Sequence, residues 1–128
     1  MTLLDTCTLL WLVADPSKLS DPAKEVLSKE DEPLFTSAIT AFEIGLKHRK
    51  GRLSLPMEAD VWYERALAFH GLGEIQLSGK IAARSTMLPE LHADPCDRII
   101  VATAQLQNLT ILTPDDLIKA YPDIDVIW

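Results

Sequence analysis

The chain has 128 residues, 48% of them hydrophobic and 24% charged, with a formal net charge of −7. That length suits one domain with one core over residues 1–128, and the acidic balance excludes a surface coated in base for nucleic-acid binding. The longest apolar runs, such as Leu9 to Ala14, are too short to span a bilayer.

In chain order, TLLD is predicted as a short buried strand ending at Asp5, and TCTLLWLVA as a helix that stops before Asp15-Pro16. The segment SDPAKEVLSKE has Ser20 or Asp21 as N-cap and Pro22 near the first helical position. PLFTS is a second strand. TAFEIGLKHRK reads as a helix, with Thr40 and Glu43 fitting a capping box and Gly51 as its stop. MEADVWYERALAFHG is amphipathic and also ends at glycine. EIQL is a third strand, followed by the helix GKIAARSTML, which Pro89 closes. PCDRIIVATAQLQ is a helix, LTILT a fourth strand, PDDLIKAY a short helix and IDVIW a fifth strand. Short apolar strands alternating with helices indicate a parallel sheet covered on both faces. Ligands of such sheets bind beyond the carboxyl ends of the strands.

Acids collect at those ends. Asp5 ends the first strand, and Glu43 lies one helical turn after the second. Asp94 and Asp97 open the helix before the fourth strand, and Asp115 and Asp116 open the helix after it. Each has an ordinary explanation as a cap or first-turn acid worth roughly 0.5–2 kcal/mol, with Thr113 as the expected cap ahead of Pro114. Converging carboxylates, however, repel one another unless a cation sits among them. Oxygen ligands suit Mg²⁺ or Mn²⁺. His48, His70 and His92 are scattered and read as surface or helix-end residues, so no zinc set is expected. A carboxylate-held cation in an open cleft suits phosphodiester hydrolysis. KHRKGR concentrates Lys47, Arg49, Lys50 and Arg52, either as a basic helix end or as a phosphate-contacting patch.

Four blocks resemble PIN-domain ribonucleases, specifically VapC-type toxins of bacterial toxin–antitoxin pairs: LLDTCTLLWL, TSAITAFEIGLKHRKGRL, LPELHADPCDRIIVATA and LTILTPDD. The resemblance covers nearly the whole chain. It implies a three-layer α/β fold with a five-stranded parallel sheet in the order 3-2-1-4-5. It also implies Mg²⁺- or Mn²⁺-dependent RNA cleavage, homodimerisation and neutralisation by a small VapB-type antitoxin. The family acids fall on Asp5, Glu43, Asp97 and Asp115. Asp94 is expected to cap its helix and tune the site, and Thr6 and Thr113 to orient a carboxylate or a water. Arg98 is expected to pair with an acid or with phosphate, and Lys47 to pair with Glu43 across one turn. Cys7 and Cys96 stand where many relatives carry His and Phe, and Pro114 replaces a polar residue. Both thiols read as small packed groups.

Two other acid-rich α/β classes fit the chain less well. A receiver domain needs an acid after the third strand, where Ser78 and Gly79 stand, and a haloacid-dehalogenase-type phosphatase needs a second Asp where Cys7 stands. A catalytically inactive PIN-fold binding module is the alternative function. Of Trp11, Phe42, Trp62, Tyr63 and Phe69, most are expected in the core. The helices around 21–30 and 39–70 are expected to leave an apolar groove for an antitoxin helix. The start MTLLDTCTLLW shows neither a basic leader nor a cleavage site. Two cysteines make no disulfide framework, so a reducing cytoplasm is the expected compartment and no membrane partner is expected.

Overall fold

The computed structural model describes all residues 1–128. Five strands, β1 (Thr2–Leu4), β2 (Leu34–Ser37), β3 (Gly73–Ile75), β4 (Thr110–Leu112) and β5 (Asp125–Ile127), form one sheet in the order β3-β2-β1-β4-β5. Every pairing is parallel. Seven helices connect and cover the strands: α1 (Thr6–Ala14), α2 (Asp21–Ser28), α3 (Ala38–Arg49), α4 (Ala59–His70), α5 (Gly79–Thr86), α6 (Pro95–Gln107) and α7 (Asp116–Lys119). The expected strand order is the observed one.

Alternation along the strands divides the core in two. Leu3 and Ile111 point to one face and pack with Ile100, Val101 and Ile118. Leu4 and Leu112 point to the other and pack with Leu9, Ile44, Trp62 and Tyr63. With helices on both faces, β1 is buried at all three residues, which is why it reads as a continuous apolar run. Strand order reverses between β1 and β4, so the carboxyl ends of these two strands flank the crevice at the switch point. The β1–β4 seam is tied there by the Thr8 hydroxyl, which donates to the Leu112 carbonyl at 2.8 Å.

Three local expectations are revised. Helix α3 begins at Ala38 with Ser37 as its cap, whose Oγ accepts from the Ile39 amide at 3.1 Å. Thr40 is therefore inside the first turn rather than ahead of it. It is buried, and its hydroxyl accepts from Thr6. Asp115, not Thr113, caps α7, with Oδ1 accepting from the Leu117 amide at 2.8 Å. The aromatic set splits: Trp62 and Tyr63 are buried, Trp11 is partly buried, and Phe42 and Phe69 are exposed at 58% and 84%. Phe69 lies in the last turn of α4, which ends one residue later at His70; Gly71 caps it, and its φ of +65° turns the chain back toward β3.

Candidate functional site

A cleft of about 240 Å³ opens at the carboxyl edge of the sheet, lined by Asp5, Glu43, Asp94, Asp97 and Asp115 with Thr6, Cys7, Lys47 and Pro114. Parallel strands bring this about. Each βα connection leaves the sheet on the same edge, so residues far apart in sequence start their helices side by side. Asp5 follows β1 and caps α1, with Oδ1 accepting from the Thr8 amide at 2.9 Å. Its Oδ2 accepts from the Thr113 hydroxyl at 2.5 Å, across the switch point. The same Thr113 oxygen accepts from the Asp115 amide at 3.0 Å. Thr113 thus orients Asp5 and the start of α7 together. Thr6 lines the cleft, but its hydroxyl engages Thr40 rather than a carboxylate.

Glu43 extends from the second turn of α3. Because Ser37 caps that helix, Glu43 has no amide to close upon. Its Oε2 lies 3.3 Å from the Lys47 ammonium, while Oε1 is buried with no hydrogen-bond partner. Asp97 sits in the first turn of α6, where the dipole favours a negative charge. Asp94 is the cap of that helix, with Oδ1 accepting from the amides of Cys96 and Asp97. Arg98 departs from expectation. Its guanidinium pairs with no carboxylate. It donates to the carbonyls of Ser85, Leu88, Pro89 and His92 and to the Tyr121 hydroxyl. The cause is its place on α6: it faces the C-terminal end of α5 and the following loop, whose orphan carbonyls need donors.

His92 belongs to the site, contrary to the reading of the histidines as scattered surface or helix-end residues. Its Nε2 lies 3.0 Å from Asp115 Oδ2 and 3.0 Å from Asp97 Oδ2. The chain folds back over the start of α6 because Tyr121 and Arg98 hold the loop. The available signal was position alone: a histidine two residues ahead of a predicted helix cap.

The electrostatics are those of crowded acids. Burial raises the Asp5 carboxyl above its ordinary value. The hydrogen bonds from Thr113 and Thr8 oppose that, and the Asp115 charge adds to it. Asp97 is pushed up to about 7, mainly by burial, then by Asp94 and Glu43, with His92 acting in the opposite direction. Both thiols are half-buried and pushed up to about 11, first by burial and next by Asp5 for Cys7 and by Glu43 for Cys96. They are held as neutral packing groups. Lys47 is the cation among these acids. A carboxyl near 7, an orphaned buried Glu43 oxygen and an oxygen-rich lining fit a hard divalent cation. Beside the cleft a second groove of about 430 Å³ carries Lys47, Lys50 and Arg52 with Phe42 and Leu46. Arg49, the fourth base of the cluster, lines neither.

The sequence pattern of the PIN domain matches residues 2–124. The chain belongs to the PIN-domain family. This PIN domain is 30% identical to ribonuclease VapC22 of Mycobacterium tuberculosis, an alignment covering 98% of this chain and 97% of that protein. Among solved structures it resembles VapBC2 from Rickettsia felis bound to a promoter DNA fragment, with a TM-score of 0.73 at 17% identity, covering 98% of this chain and 96% of that one. It also resembles a toxin–antitoxin complex from Klebsiella pneumoniae, with a TM-score of 0.68 at 27% identity, covering 100% and 97%. No helix of this PIN domain is long and apolar enough to cross a membrane.

Proposed function

We propose that this PIN domain is a Mg²⁺- or Mn²⁺-dependent endoribonuclease, the toxin of a cytoplasmic VapBC-type pair. The observation that carries the reading is the convergence of Asp5, Glu43, Asp97 and Asp115 on one cleft at the switch point. Asp5, Glu43 and Asp97 would hold the cation directly or through water, and Asp115 would complete the set. When bound, the cation supplies Lewis-acid neutralisation of the phosphate and acidifies a water for attack.

The chain's own groups do the rest. Thr113 fixes the direction of Asp5. Lys47, already 3.3 Å from Glu43, presents an ammonium at the rim where a scissile phosphate would lie. Lys50 and Arg52 line the adjoining groove and would contact the next phosphates of the strand. An acidic protein thereby gains a local basic track to a polyanion. In-line attack by water expels the 3′ oxygen and leaves a 5′-phosphate and a 3′-hydroxyl. The substrate class is tRNA, rRNA or mRNA.

The antitoxin partner would lay a helix along the apolar hollow of about 340 Å³ formed by Val13, Met57, Trp62, Ala66 and Phe69. The VapBC relatives support that partner, and homodimerisation is part of the same proposal. RNA cleavage is tested with chelated protein, with Mg²⁺ restored and with the Asp5→Asn variant. Cleavage that requires Mg²⁺ and disappears in a folded Asp5→Asn variant supports the reading. No cleavage by the wild type over a panel of structured RNAs favours an inactive binding module.

A further inference from the structure

His92 lies within the site in one fixed orientation, and three independent contacts fix it. Its backbone amide donates to the Tyr121 hydroxyl at 2.9 Å. Its carbonyl accepts from Arg98 at 3.3 Å, and the same guanidinium donates to Tyr121 at 3.2 Å. On the ring, Nδ1 accepts from the Asp94 amide at 3.1 Å. That last contact decides the tautomer. A backbone N–H facing Nδ1 needs a lone pair there, so the imidazole carries its proton on Nε2. The Nε2 proton faces Asp115 Oδ2 at 3.0 Å in hydrogen-bonding geometry, and Asp97 Oδ2 is equally close.

The side-chain ligand atoms of His92, Asp97 and Asp115 fall within 4.8 Å of one another, a spacing that a cation could bridge. The tautomer argues otherwise. A protonated Nε2 has no lone pair to offer a metal, and freeing one would move the proton to Nδ1, against the Asp94 N–H. We infer that His92 is a positioning residue and not a ligand: clamped by Tyr121 and Arg98 and locked by the Asp94 amide, it donates from Nε2 to hold Asp115 beside Asp97. This rests on the reading of the acidic cleft as a cation site. Asp115 then has both oxygens engaged by this chain, Oδ1 by the Leu117 amide and Oδ2 by His92. Asp97 and Glu43 keep the freer oxygens.

The experiment uses the full chain with Mn²⁺ alone as probe. Affinity is measured by the electron paramagnetic resonance signal of free Mn²⁺ for the wild type, His92→Gln, His92→Ala, Tyr121→Phe and Asp97→Asn. Loss of an outer-sphere partner of this kind lowers metal affinity by about 10–100-fold. His92→Ala and Tyr121→Phe are expected to weaken Mn²⁺ binding by about tenfold or more on that scale, while the amide N–H of His92→Gln restores most of it. Tyr121→Phe keeps the buried ring and never touches a carboxylate, so it separates positioning from lost packing. Long-range ¹H–¹⁵N spectra of the imidazoles give a second readout, with the proton expected on Nε2 of His92 before and after Mg²⁺ addition. A shift of that proton to Nδ1 on Mg²⁺ addition would make His92 a ligand and overturn the inference, as would wild-type Mn²⁺ affinity in His92→Ala. Wild-type affinity in Asp97→Asn would instead sink the cation-site reading, while the spectra still decide the tautomer.

Discussion

Asp97→Asn is expected to make the metal-free protein more stable at neutral pH while removing its Mg²⁺ response. The Asp97 carboxyl is pushed from 3.8 up to about 7, chiefly by burial and then by Asp94 and Glu43. A folded-state value above the unfolded one means stability that is fully present below the unfolded value and lost as pH rises through the folded one. Ionising Asp97 in the folded chain thus withholds about 4 kcal/mol at pH 7.5, at 1.36 kcal/mol per pKa unit. Two corrections reduce that figure. The side chain is 16% exposed and partly screened, and asparagine forgoes the first-turn dipole interaction, about 0.3–1 kcal/mol. A net gain of about 2–3 kcal/mol remains after these discounts. Near 4 °C per kcal/mol for a chain this size, that is roughly 8–12 °C in Tm. Asparagine also keeps an oxygen for the His92 Nε2 contact, so the packing of the loop is retained. The assay is thermal unfolding in chelator from pH 4 to pH 8 for both proteins, repeated with saturating Mg²⁺. The gap is expected to open between about pH 4 and pH 7 and to narrow or reverse when Mg²⁺ stabilises the wild type. A variant less stable than the wild type at every pH, or wild-type stability that climbs through pH 7, would refute the account of crowded, desolvated acids.

Glu43→Gln is expected to abolish Mg²⁺-dependent RNA cleavage and the Mg²⁺-induced rise in Tm, because the orphaned Oε1 is the oxygen most available to a cation; an undiminished Tm response argues against that role. Thr8→Val removes the donor that pairs with the Leu112 carbonyl in a fully buried seam, and is expected to cost about 1–3 kcal/mol by urea titration. With both thiols pushed up to about 11, Cys7 and Cys96 are expected to react with a disulfide reagent at pH 7.5 at least a hundredfold more slowly than free cysteine, roughly in proportion to thiolate content. Phe69→Ser is expected to leave stability within about 0.5 kcal/mol, since the ring is 84% exposed, while weakening capture of the antitoxin in a pull-down; equal antitoxin binding would move the partner away from this hollow.

The sequence alone carried the element order, because parallel strands buried on both faces leave continuous apolar runs that differ in length from helices. Proline and glycine marked most helix ends. The resemblance to PIN domains supplied the sheet order and the acids, and chain position put Asp5, Asp97 and Asp115 at helix starts. Local reading failed where a contact from a distant segment competed with a local one. Thr40 looked like a cap for Glu43, but its hydroxyl is taken by Thr6 of α1 while Ser37 caps the helix, leaving Glu43 free to face the cleft. Arg98 looked like a partner for an acid or a phosphate beside Asp97. The tertiary structure assigned it to the unpaired carbonyls after α5, which no spacing in the sequence reveals. His92 became part of the site only when the loop before α6 was pinned by Tyr121, 29 residues further along the chain. A strand or helix is written in the spacing of neighbouring residues. Which lone pairs stay empty, and which ring tautomer survives, depends on donors and acceptors that only folding brings within 3 Å.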